Sequence, residues 1–108
     1  MLFRSANAVQ ANLLAAMTAD EAAVNQVYNV AVGDQTTLIG LHHMLAAALA
    51  AARPGLVAAA PEYRGFRAGD VWHSRADIGK AGERLGYRPS HDIRAGLAVA
   101  AGWYASQP

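Results

Sequence analysis

The sequence predicts an α/β domain in which about four helices flank a small, partly parallel sheet. Three observations carry that reading. Several segments repeat apolar residues at helical spacing and are bounded by capping residues. One run, Gln26–Val32, alternates in a β-rich pattern with apolar residues on both faces, as a strand covered on both sides would. A helix and a second short apolar run follow it, the order of a βαβ unit with a small parallel pair. With 108 residues, the chain suits a single domain spanning 1–108.

The elements follow in order. Residues 6–18 read as a helix with Val9, Leu13, Ala16 and Met17 on one stripe. A polar connection runs to Asn25. In the strand at 26–32, Tyr28, Val30 and Val32 share one face and Val27, Asn29 and Ala31 the other; Gly33-Asp34 ends it. Thr36 or Thr37 suits an N-cap, and the helix that follows carries Leu38, Leu41, Leu45, Ala48 and Ala52 before Arg53-Pro54-Gly55 stops it. Residues 56–60 make the partner strand, 61–69 a loop, and 71–74 a brief edge strand. Asp77 caps a short helix bearing Ile78, Ala81 and Leu85, with Gly86 as its left-handed terminator. Ser90 caps the last helix, whose stripe is Ile93, Leu97, Ala100 or Ala101, and Tyr104.

Composition excludes several functions. Charged residues make up 16% and the formal net charge is +1, so there is no basic field for nucleic acid. Hydrophobic residues make up 54%, but many are alanines, each of which buries little area, so thin helices and modest stability are expected. Without cysteine, neither disulfides nor thiolate zinc sites can form. Met1–Ser5 lacks the charged start and long apolar stretch of a signal peptide, and the richest apolar run, 44–52, is too short for a bilayer. No membrane partner and a cytoplasmic location are therefore expected.

A search for chemistry gives mostly negatives. His42 and His43 are adjacent on a helix, point about 100° apart and cannot share an ion through one face. No H-E-x-x-H occurs, and His91 reads as a first-turn helix residue, so no metal site is expected. There is no G-x-S-x-G, and Ser74 and Ser90 have no evident base nearby in sequence. Neither G-x-G-x-x-G nor a Walker A pattern is present, and Asp20-Glu21 reads as a solvated turn. The exception is Tyr63 to Ser74, which packs three aromatics, two arginines, an aspartate and a histidine into a loop with two glycines. Arginine offers a donor fork for phosphate, aspartate accepts from hydroxyls, and glycine lets a backbone approach a ligand.

At that loop the chain becomes similar to a known family. Arg67-Ala68-Gly69-Asp70-Val71-Trp72-His73-Ser74-Arg75-Ala76-Asp77-Ile78-Gly79-Lys80-Ala81, followed by Leu85-Gly86-Tyr87-Arg88-Pro89, resembles a signature of the NAD-dependent epimerase/dehydratase family. That signature belongs to the extended short-chain dehydrogenase/reductases, and the closest branch is UDP-N-acetylglucosamine 4-epimerase. Val9-Gln10-Ala11-Asn12-Leu13-Leu14-Ala15-Ala16 and Asn25-Gln26-Val27-Tyr28-Asn29-Val30-Ala31-Val32-Gly33 resemble two further blocks of the same family, in the same order.

The resemblance implies the C-terminal, substrate-binding lobe of such an enzyme, without its Rossmann domain. It implies that Arg67 clamps the diphosphate of a UDP-sugar and that Asp70 helps hold the uridine end. It implies that Ser74 lines the sugar pocket, where a small side chain leaves room for an N-acetyl group. The family's cofactor is NAD, but its glycine-rich turn and its catalytic tyrosine and lysine match nothing here, so no cofactor bound by this chain and no catalytic residue are expected. Two departures stand out. Trp72 replaces a second signature arginine, and 2–8 replaces the family's R-D-F-x-Y-V-D-N approach to the first helix. A face normally buried against the Rossmann half would then lie open, including Tyr63, Phe66 and Trp72, so a homo-oligomer or a separate Rossmann half is the expected partner. The competing reading is a non-catalytic interaction or self-association module derived from an epimerase, or a nonfunctional remnant of one.

Overall fold

The structure is a computed structural model that describes residues 2–108, with side chains from Ser5 onward; Met1, and with it part of the signal-peptide reading, lies outside them. Four helices make up its regular structure: α1 (Leu2–Met17), α2 (Leu38–Ala52), α3 (Gly79–Leu85) and α4 (Ile93–Ala105). The described residues contain no strand and no bridge. The fold is all-helical, and the expected α/β architecture with a partly parallel sheet is wrong.

The reason is visible along 26–33. A strand exists only when its backbone groups pair with another strand's. Here side chains take those carbonyls instead. Lys80 Nζ donates to the Val27 carbonyl at 3.0 Å, the Tyr87 hydroxyl to that of Ala31 at 2.8 Å, and Arg75 Nε to that of Gly33 at 2.8 Å. Residues 56–60, the expected partner strand, share no backbone hydrogen bond with this segment. The Ala59 carbonyl meets His42 Nε2 at 3.2 Å instead. Residues 71–74 likewise form no strand.

Capping explains where the helices begin and end. Thr37 accepts from the Gly40 N–H at 3.1 Å and starts α2, which stops at Arg53 before Pro54. Asp77 accepts from the Gly79 N–H at 2.8 Å, although the cap position itself is Ile78. Gly86, at φ 69°, closes α3 in the left-handed region as expected. The last helix differs. Its cap is Asp92, which accepts from the Ala95 N–H at 2.8 Å, and Ser90 and His91 precede the helix.

The helices form a row rather than a bundle. α3 packs on α1, α1 on α4, and α4 on α2. The chain measures 53 × 36 × 19 Å, and its thin dimension is less than two helix diameters of about 10–12 Å. Its radius of gyration is 17.3 Å, against about 13 Å for a compact domain of this length. A single layer of helices buries only the stripes along its seams. The core is accordingly small: Ala11, Ala81 and Tyr87, with Leu14, Tyr28 and Ile78 packed around them.

That geometry also inverts the expected stripe of α1. Asn7, Ala11 and Leu14 face inward, while Val9, Leu13 and Met17 are 54%, 56% and 79% exposed. Leu38, Leu45 and Ala52 of α2 and Tyr104 of α4 are exposed too, whereas Ala81 and Leu85 of α3 are buried as expected. No helix among the described residues is long and apolar enough to cross a membrane.

Candidate functional site

The loop from Tyr63 to Ser74 lies between α2 and α3 and is exposed along almost its whole length. Its one internal fold is a turn at 67–70. Asp70 Oδ2 accepts from the Arg67 backbone N–H at 3.1 Å, and the Asp70 N–H donates to the Arg67 carbonyl at 3.2 Å. Gly69 has φ 84°, a value that glycine adopts at no steric cost. Asp70 Oδ1 also lies 3.3 Å from the Arg67 guanidinium. The turn therefore pairs Arg67 with Asp70 and leaves the arginine side chain 87% exposed.

Beside this turn, Phe66 and Trp72 stack with centroids 4.3 Å apart and planes 18° from parallel. Both remain mostly exposed, as does Tyr63. A cation and a stacked aromatic pair thus lie within six residues of one another, open to solvent. Chemically, the arginine fork suits an anionic oxygen and the ring faces suit a flat or apolar group.

Ser74 belongs to a different place. It lines a cleft of 540 Å³ with Asn7, Thr36, Arg75, His91 and Asp92, floored by Val30 and Val32. Neither Arg67 nor Asp70 is part of that lining. The structure therefore joins two of the three expected binding residues and sets the third apart. A shallower hollow of 480 Å³ adjoins it at Gly33, Arg75, Ala76, Asp77 and Ile78. Gly33 is needed here twice over. Its φ is 78°, and a Cβ would lie 3.1 Å from the Ile78 side chain.

The residue that organises the cleft is one that sequence reasoning passed over. Asn7 is 6% exposed, and its amide spans two elements. Nδ2 donates to the His91 carbonyl at 3.0 Å, and Oδ1 accepts from the N–H groups of Ser90 and His91 at 2.9 and 3.3 Å. The Ser90 hydroxyl donates to the same oxygen at 3.2 Å. A polar residue at a helical stripe position between alanines was the available signal, since an asparagine facing inward must find partners.

Ser90 Oγ also sits 2.9 Å from His91 Nδ1. This is a serine–histidine contact that the sequence reading missed. Which partner donates depends on the His91 tautomer, and the same hydroxyl also reaches Asn7 Oδ1 at 3.2 Å. No carboxylate orients the far side of the ring among the described residues. Among ionisable groups, burial pushes the Tyr87 hydroxyl above its ordinary value of 10.0. Tyr87 lies in the core and holds the Ala31 carbonyl, a structural role.

The three blocks of sequence that carry the family resemblance meet in that core. Ala11 comes from the first, Tyr28 from the second, and Ile78, Ala81 and Tyr87 from the third. Gln10 of the first block also accepts from the Arg88 N–H at 2.9 Å, and Lys80 of the third sits 5.1 Å above the Tyr28 ring. No family model matches the chain.

Proposed function

We propose that this chain supplies the sugar-nucleotide-holding lobe of a UDP-N-acetylhexosamine 4-epimerase and is not catalytic by itself. The carrying observation is the Arg67–Asp70 turn within the block that resembles the family signature. Asp70 fixes the backbone of Arg67 while most of the guanidinium stays in solvent, where a diphosphate could take a bidentate contact. One feature adds support: the resembling blocks pack into one core.

The residues present do not fit NAD. No glycine-rich turn leads from a strand into a helix, so the pyrophosphate has no cradle. The chemical step of epimerisation therefore belongs to another polypeptide region, and these residues bind and orient. An affinity limited to this half of a pocket is about millimolar, because the ordering cost of binding is offset by few contacts.

The test is an NMR titration of the protein with UDP and with UDP-N-acetylglucosamine. Shifts are expected at 63–74 and around Ser74, and Arg67→Ala should weaken binding about tenfold or more, the worth of one charge-assisted contact. Unchanged affinity in Arg67→Ala would remove the assignment of the loop.

A further inference from the structure

The long connection between α2 and α3 is held to the molecule by histidines. From residue 57 to residue 72 only Asp70 is half-buried and every other residue is exposed, so packing fixes little there. Arg64 pairs with Glu62 and Arg67 with Asp70, contacts that stay inside the stretch. Among the described residues, one hydrogen bond ties it to the rest of the chain. His42 Nε2, on α2, donates to the Ala59 carbonyl at 3.2 Å. Just past its far end, Gln35 Nε2 meets His73 Nδ1, also at 3.2 Å.

The bond to Ala59 belongs to the neutral ring. A carbonyl only accepts, so the proton of His42 sits on Nε2 and Nδ1 carries a lone pair. Nδ1 is buried and meets no hydrogen-bond partner. A second proton would place a charged donor there with nothing to receive it, at the full cost of its desolvation. The ring must then turn to bring Nδ1 to water, and the Ala59 bond is lost. At His73 the Gln35 amide donates to Nδ1, and a proton on that nitrogen sets donor against donor. Gln35 can answer by turning its amide over, so the His42 end decides.

We infer that residues 57–72 form a strap latched to α2 by the neutral His42 ring, and that protonation of this ring releases it. No neighbouring group offsets the charge. The ionisable side chains of α2 are His42 and His43, and the His43 ring lies 5.9 Å away. The helix packed on α2 is α4, which carries Arg94 and Tyr104, and residues 53–60 carry Arg53. None of these is a carboxylate. Glu62 and Asp70 are engaged by Arg64 and Arg67, and Asp34, next to Gln35, accepts from the Gln35 N–H at 2.7 Å. The strap carries Arg67, so its release would also free the turn at 67–70.

Backbone ¹⁵N relaxation tests it, measured from pH about 7.5 to about 5, a window that spans the ordinary imidazole range and stays above the carboxylates. Order parameters at 57–62 should fall from about 0.85 to below about 0.6 as the His42 ring signals report protonation. The chain has four histidines, so replacing His43 and His91 by Gln leaves the two rings at the strap and should leave the response intact. His42→Gln keeps a donor that does not titrate, and 57–62 should stay ordered at both ends of the window. His42→Phe removes the donor, and the same residues should be mobile throughout. A strap already mobile at pH about 7.5, or one that stays ordered on a protonated His42, overturns the inference. So does a His42 ring that stays neutral down to pH about 5, or a fall in order that persists in His42→Gln. No nucleotide enters these measurements, so their outcome is separate from the UDP titration.

Discussion

The two ends of the helical row are built in different ways. At one end α1, α3 and residues 76–93 are tied by hydrogen bonds between residues far apart in sequence, with Asn7, Tyr87 and Gln10 each reaching across about 56 to 84 positions. At the other end α2 and residues 53–69 hold no buried residue at all, although α2 is the most apolar helix of the chain. Its leucines and alanines are spread around the whole circumference, so no single face can be covered by α4 alone. Order here follows from directed contacts and from one well-filled ring, not from apolar content.

The comparison is broken most directly at Tyr87. Its ring is 2% exposed and fills the centre of the core. Tyr87→Ala should cost about 3–5 kcal/mol, through the cavity and the stranded Ala31 carbonyl. That is most of the stability of a domain this small. Leu38→Ala at the open end, where the side chain is 85% exposed, should cost less than about 0.5 kcal/mol. Urea unfolding of both variants measures the contrast, and equal losses would erase the distinction between the ends.

Asn7→Ala comes next. It removes an acceptor and a donor that together hold the chain ahead of α4, leaving the Ser90 and His91 backbone groups to find other partners. A loss of about 2–3 kcal/mol is expected from denaturant unfolding, with the cleft at Ser74 widened as α4 loosens from α1.

These two residues also mark how far the sequence could be read. Four helices, a cap at Thr36 or Thr37, the Gly86 terminator and the Ala81–Leu85 face were legible, because caps and short-range spacing depend on neighbours in sequence. The Arg67–Asp70 turn was not singled out, since 61–69 read only as a loop, although a glycine followed by an aspartate three residues after an arginine closes locally. The absence of strands was not legible, because β-rich residues at 26–32 form a ladder only if another strand lies beside them, and side chains of Lys80, Arg75 and Tyr87 took the carbonyls first. The inward face of α1 was missed because the apolar residues chosen for it look outward, where the row offers them no cover. The Ser90 cap failed because Asn7, at the other end of the chain, claims that serine.

A smaller effect comes from pH. Burial raises the Tyr87 hydroxyl above 10.0, so the folded state holds its proton where the unfolded chain begins to lose it. Stability from this group is full below pH about 10 and declines as pH rises beyond it. Melting curves from pH 8 to 11 should show that decline. Tyr87→Phe should start lower, having lost the bond to Ala31, and should show a flatter alkaline decline.

The smallest expected change in stability lies at Trp72, and it bears on what the open end is for. The indole stacks on Phe66 but is 70% exposed, so Trp72→Arg should cost no more than about 1 kcal/mol, the worth of one aromatic pair. The same substitution restores the arginine of the pattern that this loop resembles. If 63–74 is a binding surface, a second guanidinium near Arg67 adds a charge-assisted contact to a diphosphate, and UDP affinity should rise about tenfold. The two quantities must be read together. A gain in affinity at almost unchanged stability means that the open end is shaped by what it binds, as the closed end is shaped by its core. A loss of stability well above 1 kcal/mol with no gain in affinity means that the Phe66–Trp72 stack is a structural device, and the loop then has no claim to the diphosphate.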